Sequence, residues 1–413
     1  MKPFHSLLAA FCCASLICGC VESSSNQNHL NSSTATSSPS IQPVELESSD
    51  HDSYNRFAWI LFQNTLEENT LISPLSAFFA LGLVANGASG ETLSQFEEVL
   101  GMPLANFNAF CSNLLKNLAS DPQAQMQLAN CIWLDPDRIE SLQADFETIA
   151  KQDYEAEIFL ESFNSNTVNE INNWVSNHTN GLIEEMMQKL PSDTVMILIN
   201  ALVFEAQWLK VYEESAIQTQ PFFNADGTTS NVQMMYSEES SYIEVEGLQG
   251  FVKPYQNDRY GLALLIPQDD SSLEDVLQRA DGEAILKALA TPQVGMVEAG
   301  LPQFSLEDSK TLNEALEKAG LLDAFSSEQA DFSKLATDRQ DLVISEVFQK
   351  AKIIVDAKGT QAAAATEIMV DETAAIVEDD SIRIVCDQPF FYVLLDLHTK
   401  TPILMGTVDN LSQ

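Results

Sequence analysis

Between Asp356 and Asp380 the chain reads DAKGTQAAAATEIMVDETAAIVEDD, and this stretch narrows the possible folds further than any other. Counted in steps of two from Thr360, one side carries Thr360, Ala362, Ala364, Thr366, Ile368 and Val370. The other carries Gln361, Ala363, Ala365, Glu367, Met369 and Asp371. An uncharged set opposite a set with a glutamine and two acids is the alternation of a strand with one buried face. Yet alanine, which fills the segment, is the best helix former and a poor strand residue. Any fold assigned to this chain has to explain a buried strand made of small side chains.

Charge removes several classes of partner. The 413 residues include 60 acidic and 20 basic ones, a formal net charge of -40, and no Lys/Arg cluster reverses that field locally. Phosphate backbones and heparin-like polyanions are repelled by such a surface, so no nucleic-acid partner is expected. Apolar residues make up 45% of the chain, ample for a packed core.

The N-terminus, MKPFHSLLAAFCCASLICGC, has a basic residue, an apolar run and Gly19-Cys20 at the place of a cleavage site. Its end, Leu16 to Cys20, resembles a bacterial lipoprotein signal, which implies lipid on Cys20 as the first mature residue. Val21 rather than Asp follows, which in Gram-negative lipoproteins implies the outer membrane. The alternative is an ordinary secretory peptide cut nearby and a soluble extracellular protein. Residues 21–52 are rich in Ser, Asn and Thr and read as a flexible tether. The expected organisation is therefore a signal over 1–19, Cys20 with its tether over 20–52, and one folded domain over 53–413. Of seven cysteines, Cys20, Cys111, Cys131 and Cys386 survive signal removal. Lipidation of Cys20 leaves three, too few for a disulfide framework. Cys131 and Cys386 sit in apolar runs and are read as buried small hydrophobes.

Helical patterns lead the domain. Phe57, Leu61 and Phe62 share one face, Ser73-Pro74 opens a second helix, and further helices are expected through about Leu190, one of them carrying Asn172 to Trp174. Strands dominate afterwards: VMILINALVFEAQW, Val232 to Met235, Tyr242 to Val245, Tyr260 to Gln268, LVISEVFQKAKIIV, SIRIVC, FFYVLLDL and MGTV. A helix from Thr311 to Ala319 should end at Gly320. Helices first and strands later, without βαβ repeats, predict an α+β fold.

Enzyme chemistry finds no footing. His29 and His51 fall in the tether, and His178 and His398 in predicted turns. There is no HExxH, GxSxG, phosphate-binding loop or paired cysteine ligands, so no catalytic residue, metal or cofactor is expected.

Five ordered motifs carry a resemblance. They are Asn69-Thr70-Leu71-Ile72-Ser73-Pro74 with Ser76, Asn200-Ala201-Leu202-Val203-Phe204 through Trp208, and Leu301-Pro302-Gln303-Phe304 with Asp323-Ala324-Phe325 and Ala330-Asp331-Phe332. Gly359-Thr360 with Ala362, Ala363, Ala364, Ala365 and Thr366, and Cys386-Asp387-Gln388-Pro389-Phe390, complete the set. Over Ser53 to Gln413 the chain resembles the serpin family. The resemblance implies helices packed around three β-sheets with an exposed reactive-centre loop, and a monomer. It assigns Ser73, Pro74, Ser76, Asn200 and Trp208 to the shutter and breach of the main sheet, and Gly359 to Thr366 to the loop hinge. It also explains the alanines: in serpins this segment starts as an exposed loop and, once cleaved, enters the sheet as a new strand. Small inward side chains suit both states, and an unpaired charge there would cost several kcal/mol. Glu372, next in the inward phase, ends the easily inserted part.

The implied activity is suicide inhibition of serine proteases. Counting fourteen residues past Gly359, as the family does, puts the reactive bond at Thr373-Ala374, with Ala375 and Ile376 as alternatives because the stretch before Pro389 is longer than usual. These small residues, and the absence of Arg or Lys from Gln361 to Ile382, imply an elastase-like or subtilisin-like target. Two departures stand out: Gln349 occupies the place of a family histidine, putting the hydrogen bonding of the sheet's opening region in doubt, and Ala357 replaces a common acid. The alternative function is a non-inhibitory serpin acting as a surface binding module, which would not need the small inward face.

Overall fold

Ser73 is extended (φ -111°), its side chain accepts from the Ser76 amide, and Pro74 takes the first helical position. The helix that follows, α2 (Pro74–Ala85), is buried along its whole length, which accounts for its lack of a polar face. The computed structural model describes residues 48–118, 124–139, 141–191, 194–337, 342–360 and 382–412.

The helices among the described residues are α1 (Ser48–Asn64), α2, α3 (Gly90–Leu100), α4 (Leu104–Leu118), α5 (Ala144–Asp153), α6 (Ser165–His178), α7 (Leu273–Arg279), α8 (Gly282–Ala290) and α9 (Asn313–Ala319). A nine-stranded sheet runs β1 (Leu71–Ile72), β17 (Thr401–Val408), β16 (Phe390–Asp396), β9 (Tyr260–Pro267), β8 (Leu248–Pro254), β7 (Thr229–Val245), β10 (Gln293–Pro302), β15 (Ile382–Val385), with β6 (Ile217–Phe223) also on β7. A six-stranded sheet runs β11 (Phe304–Thr311), β13 (Glu346–Val355), β14 (Gly359–Thr360), β5 (Met196–Gln207), β2 (Ala124–Leu134), β4 (Glu157–Leu160). Two short strands, β3 (Ser141–Leu142) and β12 (Ala336–Thr337), pair separately.

β5 is covered on both faces, which is why its sequence is a continuous apolar run. Leu198, Leu202 and Phe204 join the main core, whereas Ile197, Ile199, Ala201 and Val203 join a second cluster under α6 with Trp133, Ile171 and Trp174.

Three sequence expectations change. α1 begins at Ser48, so Ser48 to Asp52 of the predicted tether is helical, and His51 lies in that helix with its ring 5.4 Å from Phe110, edge-on. The stretch expected to be helical through Leu190 contains β2 and β4. AQMQLANCIWL favours a helix locally, but eleven residues of pairing with β5 outweigh that preference. His178 is the last residue of α6 rather than part of a turn. The other predicted strands and the glycine cap of α9, Gly320 with φ +113°, are present.

Candidate functional site

Two strands of the six-stranded sheet diverge, and the site is built where they do. β13 and β5 pair directly, in parallel, from Glu346 opposite Ile197 to Ala351 opposite Leu202. Beyond that point they separate, and β14 occupies the fork: Thr360 faces Val355 on β13 and Ala206 on β5, and Gly359 faces Gln207. A Cβ on Gly359 would sit 2.1 Å from the Ala206 carbonyl oxygen, so only glycine allows this approach.

Thr360 is buried, and its hydroxyl bonds the hydroxyl of Tyr255. The turn leading to it is held by Asp356, whose Oδ1 accepts from the Lys358 and Gly359 amides at 2.7 and 3.1 Å. Trp208, fully buried, donates its indole N–H to the Asp356 carbonyl at 2.8 Å and its amide to the Lys358 carbonyl at 2.8 Å. Its ring stacks on Tyr255 with centroids 4.3 Å apart. Ala357, at the position of the missing acid, gives its carbonyl to the Tyr212 amide and packs against the core.

Lower in the sheet, the directly paired part is fastened to the first turn of α2. Asn130, Asn200 and Gln349 stand side by side on β2, β5 and β13, each in register with the next. Asn200 donates to the Ser76 carbonyl at 2.9 Å and to Asn130 Oδ1. Gln349 accepts from the Ser73 amide through Oε1 at 2.8 Å and donates to the Ser73 carbonyl through Nε2 at 2.7 Å. Ser73 Oγ donates to the Ile403 carbonyl of β17 at 3.0 Å. The doubt raised by Gln349 is thereby resolved: its amide provides both a donor and an acceptor, and it closes a two-bond ring with the Ser73 backbone. Pro74 lacks an N–H at a helical position whose N–H would have no intrahelical partner.

The predicted residues Ser73, Pro74, Ser76 and Asn200 thus meet at one junction, and Trp208, Gly359 and Thr360 at another. The hinge residues Ala362, Ala363, Ala364, Ala365 and Thr366, the reactive bond at Thr373-Ala374 with Ala375 and Ile376, Glu372, and the lipidation site Cys20 lie outside the described residues. The prediction did not include Asn130 or Tyr255. An asparagine inside the apolar LANCIWL was the only available signal for the first. Cys131 and Cys386 are buried as expected, and so is Cys111. Burial raises the pKa of all three thiols above the ordinary range, which removes them as nucleophiles.

The six-stranded sheet thus forks between its second and fourth members, β13 and β5, with a glycine-led segment docked in the fork. The family model described as Serpin (serine protease inhibitor) matches residues 52–411. This chain is a serpin. A serpin-like protein of Thermococcus kodakarensis is 30% identical over 368 residues, covering 86% of this chain and 84% of the relative. Antithrombin-III of Mus musculus is 27% identical over 375 residues, 86% of this chain and 80% of its own. The crystal structure of the thermophilic serpin tengpin in the native state matches with a TM-score of 0.84 at 36% identity, covering 90% of this chain and 96% of tengpin. Tengpin in the latent state gives 0.78 at 34% identity, covering 90% and 100%. Serpins are generally protease inhibitors rather than enzymes, which agrees with the lack of catalytic motifs in the sequence.

Proposed function

We propose that this serpin is a suicide inhibitor of serine proteases with an elastase-like or subtilisin-like target. The observation that carries the reading is the docking of Gly359 and Thr360 between β5 and β13, a position bordered by a strand on each side. The target's serine attacks the Thr373 carbonyl carbon, the Thr373-Ala374 amide breaks, and the Ala374 amine leaves with a proton from the protease's own histidine. Insertion of the segment after Thr360 then carries the acylated protease away before water cleaves the ester. The uncharged, small or apolar alternate residues from Ala362 to Val370 support this step.

The same reading includes a monomer tethered to a membrane through lipid on Cys20, at the outer membrane or cell surface. Its support is the apolar run ending in Leu16-Ile17-Cys18-Gly19-Cys20 and the polar residues that follow.

The test is to mix the chain from Ser48 onward with pancreatic-type elastase and with subtilisin, then run denaturing gels and mass spectrometry. The expected result is a covalent complex that survives denaturation, with a new N-terminus at Ala374, Ala375 or Ile376. Complete cleavage with full protease activity remaining, and no gain in melting temperature, would replace this reading with the non-inhibitory binding module.

A further inference from the structure

The carbonyls of Asp356, Ala357 and Lys358, the link between β13 and the docked hinge, all accept from one short segment: from the Trp208 indole, the Tyr212 amide and the Trp208 amide respectively. Beneath the two rings of that segment lies a charge. Lys253 on β8 is only 1% exposed, and its Nζ sits 4.2 Å from the Tyr212 ring centroid and 5.6 Å from that of Trp208. Its counter-ion is Glu239 on β7, 8% exposed, with Nζ and Oε1 2.8 Å apart. Ser237 Oγ donates to the same carboxylate oxygen at 2.6 Å and lies 3.4 Å from the Tyr212 hydroxyl.

An ion pair this deep is costly to desolvate, and apolar side chains of the same volume would fill the space at no loss of stability. What apolar side chains cannot do is attract ring faces. An ammonium shielded from water and set against two aromatic rings orients both. Burial pushes the lysine toward its neutral form, and the charge and hydrogen bond of Glu239 oppose that.

We propose that Lys253, held by Glu239, is a positioning residue for the hinge: it fixes the Trp208 and Tyr212 rings, and through their N–H groups it fixes the turn at 356–358 from which the loop enters the sheet. A further consequence, faster insertion of the cleaved loop, rests on the inhibitory reading. The docking itself belongs to the uncleaved chain.

The experiment compares the parent with Lys253→Met and with the double variant Lys253→Met/Glu239→Gln. Amide exchange at Trp208 and Tyr212 is read as a ratio to the β16 amides, so that a general loss of stability cancels. Lys253→Met strands a buried carboxylate and should lower both the melting temperature and the ratio of protection. The double variant removes both charges and should recover most of the melting temperature, while Trp208 and Tyr212 exchange about tenfold faster than in the parent. Parental protection in the double variant would overturn the assignment and reduce the pair to packing.

A second arm cleaves the loop with subtilisin and follows tryptophan emission, with slower insertion expected in the double variant. A parent chain that is cleaved and never inserts would defeat the inhibitory reading, while the exchange result would still decide the role of Lys253.

Discussion

Gln349 shows how much one side chain can contribute at this site. It is 2% exposed, and both ends of its amide are bonded to the backbone of Ser73, so β13 and the start of the helix under it share one pair of hydrogen bonds. Gln349→Leu keeps similar bulk and strands a buried N–H and a buried C=O. The expected loss is about 2–5 kcal/mol, read from the guanidinium chloride midpoint. The sequence marked Gln349 only as a departure from a family pattern, because a glutamine's two bonds depend on what lies opposite. Lys253 and Glu239 were less legible still. They are fourteen positions apart on neighbouring strands, and in so acidic a chain neither residue stands out before folding places them together. Ser73-Pro74, by contrast, was readable at once, since helix initiation is a local matter settled within a few residues.

At the scale of elements, strands β11 and β13 of the six-stranded sheet are clamped by a connecting segment. A segment after α6 lies across β13 and β11. Lys350 and Lys352 donate to the carbonyls of Glu185 and Leu182, Ser309 donates to that of Met186, and Asn172 of α6 bonds the Met186 and Met187 amides and the Met187 carbonyl. The same two lysines pair with Glu307 of β11 at 2.7 and 3.2 Å. Burial alone would raise the Glu307 pKa, but hydrogen bonds and charge from Lys350 and Lys352 outweigh it, and the net shift is downward from 4.5. The folded state therefore favours the carboxylate. This contribution is full above pH 4.5 and is lost as pH falls through the lower folded value. Glu307→Gln should cost about 0.5–1 kcal/mol at pH 7, a small figure because Glu307 is 41% exposed, and the gap in melting temperature should close on acidification below pH 4. Element types were legible to the extent that a strand's own residues favour extension. β5, β9 and β16 announce themselves by branched and aromatic runs, whereas β2 is written largely in Ala, Gln and Leu and becomes a strand only because β5 lies beside it.

For the whole molecule, the fold came through in the sequence because its class depends on the order of elements and its family on motifs spread from Asn69 to Phe390. Of the predicted hinge, Gly359 and Thr360 are among the described residues and lie between β5 and β13; the alternation beyond them is legible in the sequence alone. The arrangement predicts a molecule that gains stability when its chain is cut. Under the proposed mechanism, cleavage between Gln361 and Ser381 would let the segment complete a strand between β5 and β13, adding main-chain hydrogen bonds of about 1 kcal/mol each. Calorimetry of the nicked chain should show a melting temperature higher by roughly 10 °C or more. An unchanged transition would mean that the fork does not open.

The two docked residues also settle a question of parity. Thr360 lies with its side chain against Tyr255, in the main core, and its register on both neighbouring strands is set before any protease arrives. If the segment inserts as proposed, that origin would send even-numbered positions up to Val370 to the inside of the sheet and odd-numbered ones to the outside. Lengthening the segment by two residues next to Thr360 would leave that assignment intact, whereas adding one would send Glu367 and Asp371 inward. The chain can therefore change the bait it presents far more freely than it can change, by a single residue, the distance from the hinge at which the bait begins.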